Sequence, residues 1–433
     1  MSGSSSTSKK AKSEYIPENV LFGRLLLKSG PELVGRLVTK PKFLTLTGYE
    51  VSKQIPTFHT NDLCTFKRLR SRNEENFVIC PILIDIILMG IRLGAGEETA
   101  NEIKVALQHT AIDRPELKRT AKALIHVLRE EDRSLYQFYS IQKMFVRSGH
   151  TIKRNFKILS EGAFYLDIEA LNFRDVANAE NKINRYVNNR TLSAVEGIVP
   201  SGLLSSECKI VIASSAYYWA EWDAEINRAY TNIQTFMCRP NYAVQVEFMH
   251  SVASYGYLDC EPLGVRFLQM HLKNKQGALI IALPRNTFGL ARLEENIEAV
   301  LNVSDKDFKD RRMRIAMPKF VISTTQDWKE LLMELGITKL FTEGQAEISD
   351  IAGEPFDLHV NHLLQKTVIR VIEDGIETTT VYFPQKMRPI PYVVAEDALD
   401  FIVDHPFMFF IKIRKVIVYI GRLVDPSRAD EVY

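Results

Sequence analysis

The chain contains no C-x-x-C pair and an odd number of cysteines, Cys64, Cys80, Cys208, Cys238 and Cys260. Neither a disulfide framework nor a zinc site is expected from that pattern, and the cysteines are expected to be reduced, buried apolar fillers. No run approaches about 18 uncharged apolar residues, the length a membrane helix needs. The strongest candidates, Ile82 to Ile91 and Met408 to Ile420, are interrupted by Asp85 and by Lys412, Arg414 and Lys415. Neither sign of charge dominates, with 55 basic against 53 acidic residues among 433 and a net charge of +2. Nucleic-acid binding, which calls for a strongly basic domain, is therefore not expected.

The motifs of common enzyme chemistry are missing as well. There is no G-x-S-x-G, no H-E-x-x-H and no phosphate-cradling glycine loop, so neither an enzyme nor a cofactor site is expected. His359 and His362 are the only close histidine pair, but their spacing suits a metal only on a helix, and Leu358 to Leu364 reads as strand or loop. No metal site is assigned. The acidic pairs Glu97-Glu98, Glu130-Glu131 and Glu294-Glu295 read as solvated helix-end or surface groups. The opening MSGSSSTSKKAKSEY is polar and lacks the apolar core of a secretory signal, so a cleaved leader is not expected and this stretch should be disordered.

What is present is a soluble globular composition, 46% hydrophobic and 25% charged. Residues 1–60 read as an appended arm, and the length of the remainder, 61–433, decides nothing between one large domain and two. Asn61 or Asp62 can cap a first helix carrying Leu63, Phe66 and Leu69. Pro81 to Leu93 is apolar nearly all round and predicts a helix enclosed on every side. Further helices are predicted at Glu97 to Leu107, Pro115 to Glu130, Phe156 to Tyr165, Ala177 to Arg190, Leu290 to Leu301 and Trp328 to Leu335. Strands are predicted at Tyr136 to Val146, Lys209 to Trp219, Gln245 to Leu258, Val265 to Lys273, Ala278 to Leu283, Arg312 to Ile322 and Lys366 to Ile372. Helices first and long strands later imply an α+β fold with a large sheet rather than alternating βαβ units.

The most informative stretch is Lys366 to Phe407. Thr367 to Ile372 and Ile376 to Phe383 are β-prone runs joined at Asp374-Gly375, a hairpin signal. Pro384, Pro389 and Pro391 then imply a long exposed loop, and roughly twenty residues pass before Phe401 to Ile420 resume a strand pattern, a length usually functional or disordered. With its hinge Glu373-Asp374-Gly375 and the segment Asp404-His405-Pro406-Phe407, this stretch resembles the serpins. The resemblance runs from Asn61 to Pro426. It is carried also by Pro318-Lys319-Phe320, Leu335-Gly336-Ile337, Leu93-Gly94-Ala95 with Thr99, and Ile183-Asn184 with Val187 and Thr191. Tyr217, Tyr218 and Trp222 match the family's aromatic strand, and Gly421-Arg422-Leu423-Val424-Asp425-Pro426 its C-terminal strand.

The resemblance implies a single domain with a large central β-sheet, flanking helices and an exposed reactive loop at about 375–400. It implies a monomer that acts as a suicide substrate: a serine protease cleaves the loop, and the hinge side then inserts into the main sheet. The hinge would be Glu373, Gly375, Ile376, Thr378 and Thr380, with Trp222 as the aromatic at the sheet entry. Scissile candidates are Lys386, Met387, Arg388 and Pro389; Arg388-Pro389 is a poor bond for a trypsin-like enzyme because proline follows the basic residue.

Some positions depart from the family pattern. Ile376, Thr378 and Tyr382 are bulkier than the usual small hinge residues, and Pro384 would remove a ladder donor from an inserted strand. The family's polar cluster beneath the sheet falls on Cys80, Leu83, Ser214 and Gln365, so that network reads as largely dismantled. A non-inhibitory serpin kept as a binding scaffold is the alternative. Finally, Arg114, Lys118, Lys122 and Arg129 share about 80° of one helix face, the helix that binds sulfated glycan in some relatives. The family includes secreted and intracellular members, more often extracellular, which leaves the compartment open.

Overall fold

A helix with no polar face must be enclosed, and Pro81–Leu93 (α1) is buried along its entire length. Proline at its first position has no N–H to leave unpaired, and Gly94 ends it where a Cβ would strike Ile351 and Phe156. The computed structural model describes residues 75–109, 113–128, 136–191, 193, 195–377 and 397–428. The expected helix from Asn61, the arm 1–60, Arg129, Thr378, Thr380 and the scissile candidates Lys386, Met387, Arg388 and Pro389 lie outside the described residues.

Two sheets enclose α1. The smaller has six strands in the order β10 (Phe320–Asp327), β11 (Val360–Ile372), β12 (Gly375–Glu377), β4 (Ile210–Glu221), β2 (Tyr136–Arg147) and β3 (Leu166–Leu171). The larger is built from β1 (Phe77–Ile79), β15 (Val416–Leu423), β14 (Phe407–Ile413), β8 (Gly277–Pro284), β7 (Val265–His271), β6 (Tyr242–Cys260), β9 (Lys309–Pro318) and β13 (Leu399–Ile402), with β5 (Asn232–Arg239) on β6. The remaining helices are α2 (Glu97–Ala106), α3 (Arg114–Leu128), α4 (Arg154–Leu159), α5 (Val176–Arg190), α6 (Leu290–Glu295), α7 (Ile297–Leu301) and α8 (Lys329–Glu334). The α+β expectation holds.

Alternation along the strands divides the apolar residues between two cores. Ile210, Ile212, Ala216, Tyr218 and Ala220 of β4 face α1, together with Leu363, Ile369 and Val371 of β11. Val211 and Ala213 face the opposite side with Leu364, Val368 and Phe145, and pack on Ile183 and Val187 of α5.

Several boundaries differ from the sequence reading. Leu290 to Leu301 is two short helices broken at Asn296, and Arg312 to Ile322 is two strands broken at Lys319. The pair Glu294-Glu295 is not simply solvated: Glu294 is buried and meets Arg422 at 2.7 Å, while Arg422 Nε donates to Glu75 O at 2.9 Å. A buried carboxylate needs such a partner, and Arg422 supplies it from a strand more than a hundred residues away.

Candidate functional site

The hinge segment Gly375–Glu377 enters the six-stranded sheet. Gly375–Glu377 pairs antiparallel with two strands at once, setting Ile376 between Val371 of β11 and Ala220 of β4. Gly375 is required there, because its φ of 152° suits glycine and a Cβ would run into the Ala220 carbonyl. Ile376 is fully buried in the α1-facing core, a placement that contributes roughly 1.5–3 kcal/mol. On the far side of the opening, β11 and β4 pair directly and in parallel, from Val360–Ile210 to Lys366–Ser215. The seam is therefore spread by one strand at the hinge end and closed at the other.

Polar contacts pin the start of the hinge. Trp222 follows β4, is mostly buried, and donates its indole N–H to Ile372 O at 2.8 Å. Glu373, 4% exposed, accepts from Thr231 Oγ1 at 2.7 Å and pairs with Lys319 Nζ at 3.3 Å. Burial alone would raise the Glu373 pKa, but the Thr231 hydrogen bond, its own backbone N–H and Lys319 outweigh this and hold it below the usual carboxylate range. Asp374 pairs with Arg228. The kink at Lys319 that splits the predicted strand thus places an ammonium under the hinge. Of the expected hinge set, Glu373, Gly375 and Ile376 come together here with Trp222.

Beneath the closed seam runs a polar row. Gln142 of β2, Ser214 of β4 and Gln365 of β11 lie opposite one another in register, and all face α1. Gln365 spans to the start of α1, accepting from Cys80 N at 3.0 Å and donating to Cys80 O at 2.8 Å. Of the family's polar cluster, this pair of bonds from one long amide to the Cys80 backbone is what the row supplies at the helix start. The Ser214 hydroxyl and both ends of the Gln142 amide are buried with no hydrogen-bond partner among the described residues, an arrangement that costs about 1–3 kcal/mol for each group.

The two histidines diverge. His359 Nε2 meets Asn361 Nδ2 at 3.1 Å, whereas His362 Nδ1 meets Asp327 Oδ2 at 2.7 Å. Among the described residues, no three His, Cys, Asp or Glu side chains converge as a metal set. Cys80, Cys208, Cys238 and Cys260 are free thiols, the first three buried. On α3, Arg114, Lys118 and Lys122 are exposed, and Arg114 Nη2 donates to Ala95 O at 3.3 Å. No helix among the described residues is long and apolar enough to cross a membrane.

Two strands of one sheet are thus spread at one end by the three-residue strand Gly375–Glu377. Residues 61–426 match the family model described as Serpin (serine protease inhibitor). The chain belongs to the serpin family. Serpins are protease inhibitors or non-enzymatic binding proteins, not catalysts, and the chain is read accordingly. Serine protease inhibitor 42Dd of Drosophila melanogaster is 24% identical over 361 residues, covering 82% of this chain and 93% of that protein. Among solved structures, Serpin48 of the insect Tenebrio molitor aligns with a TM-score of 0.78 at 24% identity, covering 88% of this chain and all of that one (100%). Human thyroxine-binding globulin, complexed with thyroxine, aligns at 0.77 and 21% identity, covering 88% of this chain and 100% of the other. These similarities extend across the whole serpin domain.

Proposed function

We propose that this serpin inhibits a serine protease as a suicide substrate, through cleavage and insertion of the loop that follows Glu377. The observation that carries this reading is the three-residue strand Gly375–Glu377, paired on both edges with Ile376 buried. Continuing the same register would set residue 380 opposite Thr367 and Ala216, and residue 381 would be the first to meet the closed seam at Lys366 and Ser215. Further insertion exchanges one parallel ladder for two antiparallel ones. Each added bond contributes about 0.5–1.5 kcal/mol net, and loop insertion that releases stored strain is an established switching mode.

The polar row supports the same reading. In the continued register Tyr382 would fall between Ser214 and Gln365 on the α1-facing side, so insertion reaches the row where Ser214 has no partner while the seam is closed. Pro384 would follow beside Leu363 and Ile212, where it removes a ladder donor, so insertion is partial. Cleavage is assigned to Lys386-Met387 by a trypsin-like enzyme, or to Met387-Arg388 by a serine protease that accepts methionine before the scissile bond. Residues 1–60 are assigned to an arm outside this machinery, and the α3 stripe to sulfated glycan.

A second reading, a non-inhibitory binding scaffold, is favoured by the bulk of Thr378 and Tyr382 and by Pro384 beyond the part already inserted. Incubation with a panel of trypsin-like proteases separates the two. Inhibition gives an SDS-resistant complex of summed mass, whereas a scaffold gives only cleaved chain and fully active protease.

A further inference from the structure

The sequence sets a lysine inside an otherwise apolar strand, and Lys412 of β14 is buried, with only 9% of its surface exposed. Side chains alternate across a sheet, so residues in register on neighbouring strands form rows on one face. Lys412 lies opposite Ala278 of β8, and Ala278 lies opposite His271 of β7. The next row on the same face runs from Phe410 through Ile280 to Gln269, then through Gly256 to Asp310. Ala278 is short between two long neighbours, which leaves a hollow over it. Gly256 makes room for the Gln269 amide, whose Oε1 lies 2.6 Å from where a Cβ would stand.

The hollow is a cavity of about 440 Å³, lined also by Asp305 and Phe308 from the segment after α7 and by residues of two turns. Its volume is that of a small-molecule site. The turns belong to the β7–β8 and β14–β15 connections, and Arg414 ties them together, its N–H on Gln276 O at 2.9 Å and its Nε on Gln276 Oε1 at 3.3 Å. Arg414 and Lys415 fill both central positions of a two-residue hairpin, with φ of 46° and 73°. Asparagine or glycine would sit there with less strain, so the chain places two cations at the exposed rim against its local preference.

The lining carries an excess of positive charge, Lys275, Lys412, Arg414 and Lys415 against Asp305 and Asp310. Burial and the Lys275 charge pull the His271 pKa below its usual value, so its ring is neutral at pH 7. Lys412 Nζ donates to Val303 O at 3.1 Å and Asp305 Oδ1 at 3.2 Å, which leaves the third donor of the ammonium without a partner among the described residues. Gln269 is 7% exposed, and its amide makes no hydrogen bond among the described residues. Buried polar groups in this state call for a partner. Phe308, edge-on to Phe267 with centroids 6.2 Å apart, supplies an aromatic wall.

We propose that this cavity binds a small aromatic carboxylate, a function separate from the loop. The anionic group is held by Lys412 and the cations of the two turns, the ring lies against Phe308, and Gln269 is open to a polar substituent on that ring. Hydrogen bonds from a buried ammonium to a carboxylate are of the strong, charge-assisted kind. The excess of cations disfavours a positively charged ligand, and Asp305 and Asp310 disfavour a highly charged one such as a triphosphate.

Naphthoate is the probe, and naphthamide, the same ring without the charge, is its control. Calorimetric titration of the full chain should show one saturable site for naphthoate, with naphthamide weaker by about tenfold or more. Lys412→Met keeps the length of the side chain and removes its charge, so it should weaken naphthoate by about tenfold and leave naphthamide unchanged. Ala278→Leu fills the hollow and should abolish binding of both. Lys415→Gln, on the exposed turn, should weaken naphthoate a few-fold, and less at high salt. No saturable heat with naphthoate, equal affinity for the amide, or binding that survives Ala278→Leu overturns the proposal. Should Lys412→Met or Ala278→Leu fail to fold, the wild-type ratio of naphthoate to naphthamide affinity and the Lys415→Gln variant still decide it.

Discussion

Gln365 holds Cys80 by both of its backbone polar groups, accepting from the N–H at 3.0 Å and donating to the carbonyl at 2.8 Å. This contact ties β11, one lip of the seam, to the first turn of the enclosed helix α1, whose N-terminus has no side-chain cap. Any insertion that opens the seam beyond Ser215 must pass over it.

Gln365→Leu should therefore destabilise the intact protein. It leaves the buried Cys80 N–H without its acceptor, while the Cys80 carbonyl keeps Leu83 N at 3.3 Å. A loss of about 1–3 kcal/mol is expected. Urea unfolding measures it, with a lower midpoint and an unchanged slope.

The stability of the fold should also depend on His109. This residue is 1% exposed, and burial together with the Arg92 charge pulls its pKa down to about 4. The unfolded chain takes up a proton near pH 6.5 and the folded chain resists it, so the contribution of His109 is present above that pH and lost as pH falls towards 4. The slope is at most about 1.4 kcal/mol per pH unit. His109→Gln should flatten this part of the profile in denaturant titrations between pH 7 and pH 4; an unchanged slope would remove the assignment.

If α3 holds a sulfated glycan, Lys118→Ala and Lys122→Ala together with Arg129→Ala should weaken heparin retention. Each exposed ion pair contributes about 0.2–1 kcal/mol and is screened by salt, so the wild type should elute at higher ionic strength than the triple variant. Passage of the wild-type protein straight through the column at low salt would count against a glycan role.

The legible parts of the sequence were those fixed by local pattern. The nearly all-apolar run after Pro81 gave an enclosed helix, and Asp374-Gly375 gave the antiparallel return into β12. Long-range partners were not legible. Nothing near Glu294 announces Arg422, because tertiary pairing brings these groups together across more than a hundred residues. The break at Lys319 was signalled only by Pro318, with β-prone residues on both sides of it, and there the chain crosses from one sheet to the other. The role of Gln365 was not legible for a related reason: residue-by-residue matching shows a replaced histidine but not that the longer amide reaches the Cys80 backbone.

The most direct measurement of the inhibitory account is the unfolding temperature before and after cleavage of the loop between Lys386 and Pro389. Insertion adds a strand, so cleaved protein should melt higher, by only a few degrees because Pro384 interrupts the new ladder. Pro384→Ala should enlarge the gain by restoring a donor. Ile376→Arg should abolish it, because the arginine would carry an unpaired charge into the core that Ile376 now fills. Identical melting temperatures before and after cleavage, indifferent to both substitutions, would contradict loop insertion and leave the binding scaffold.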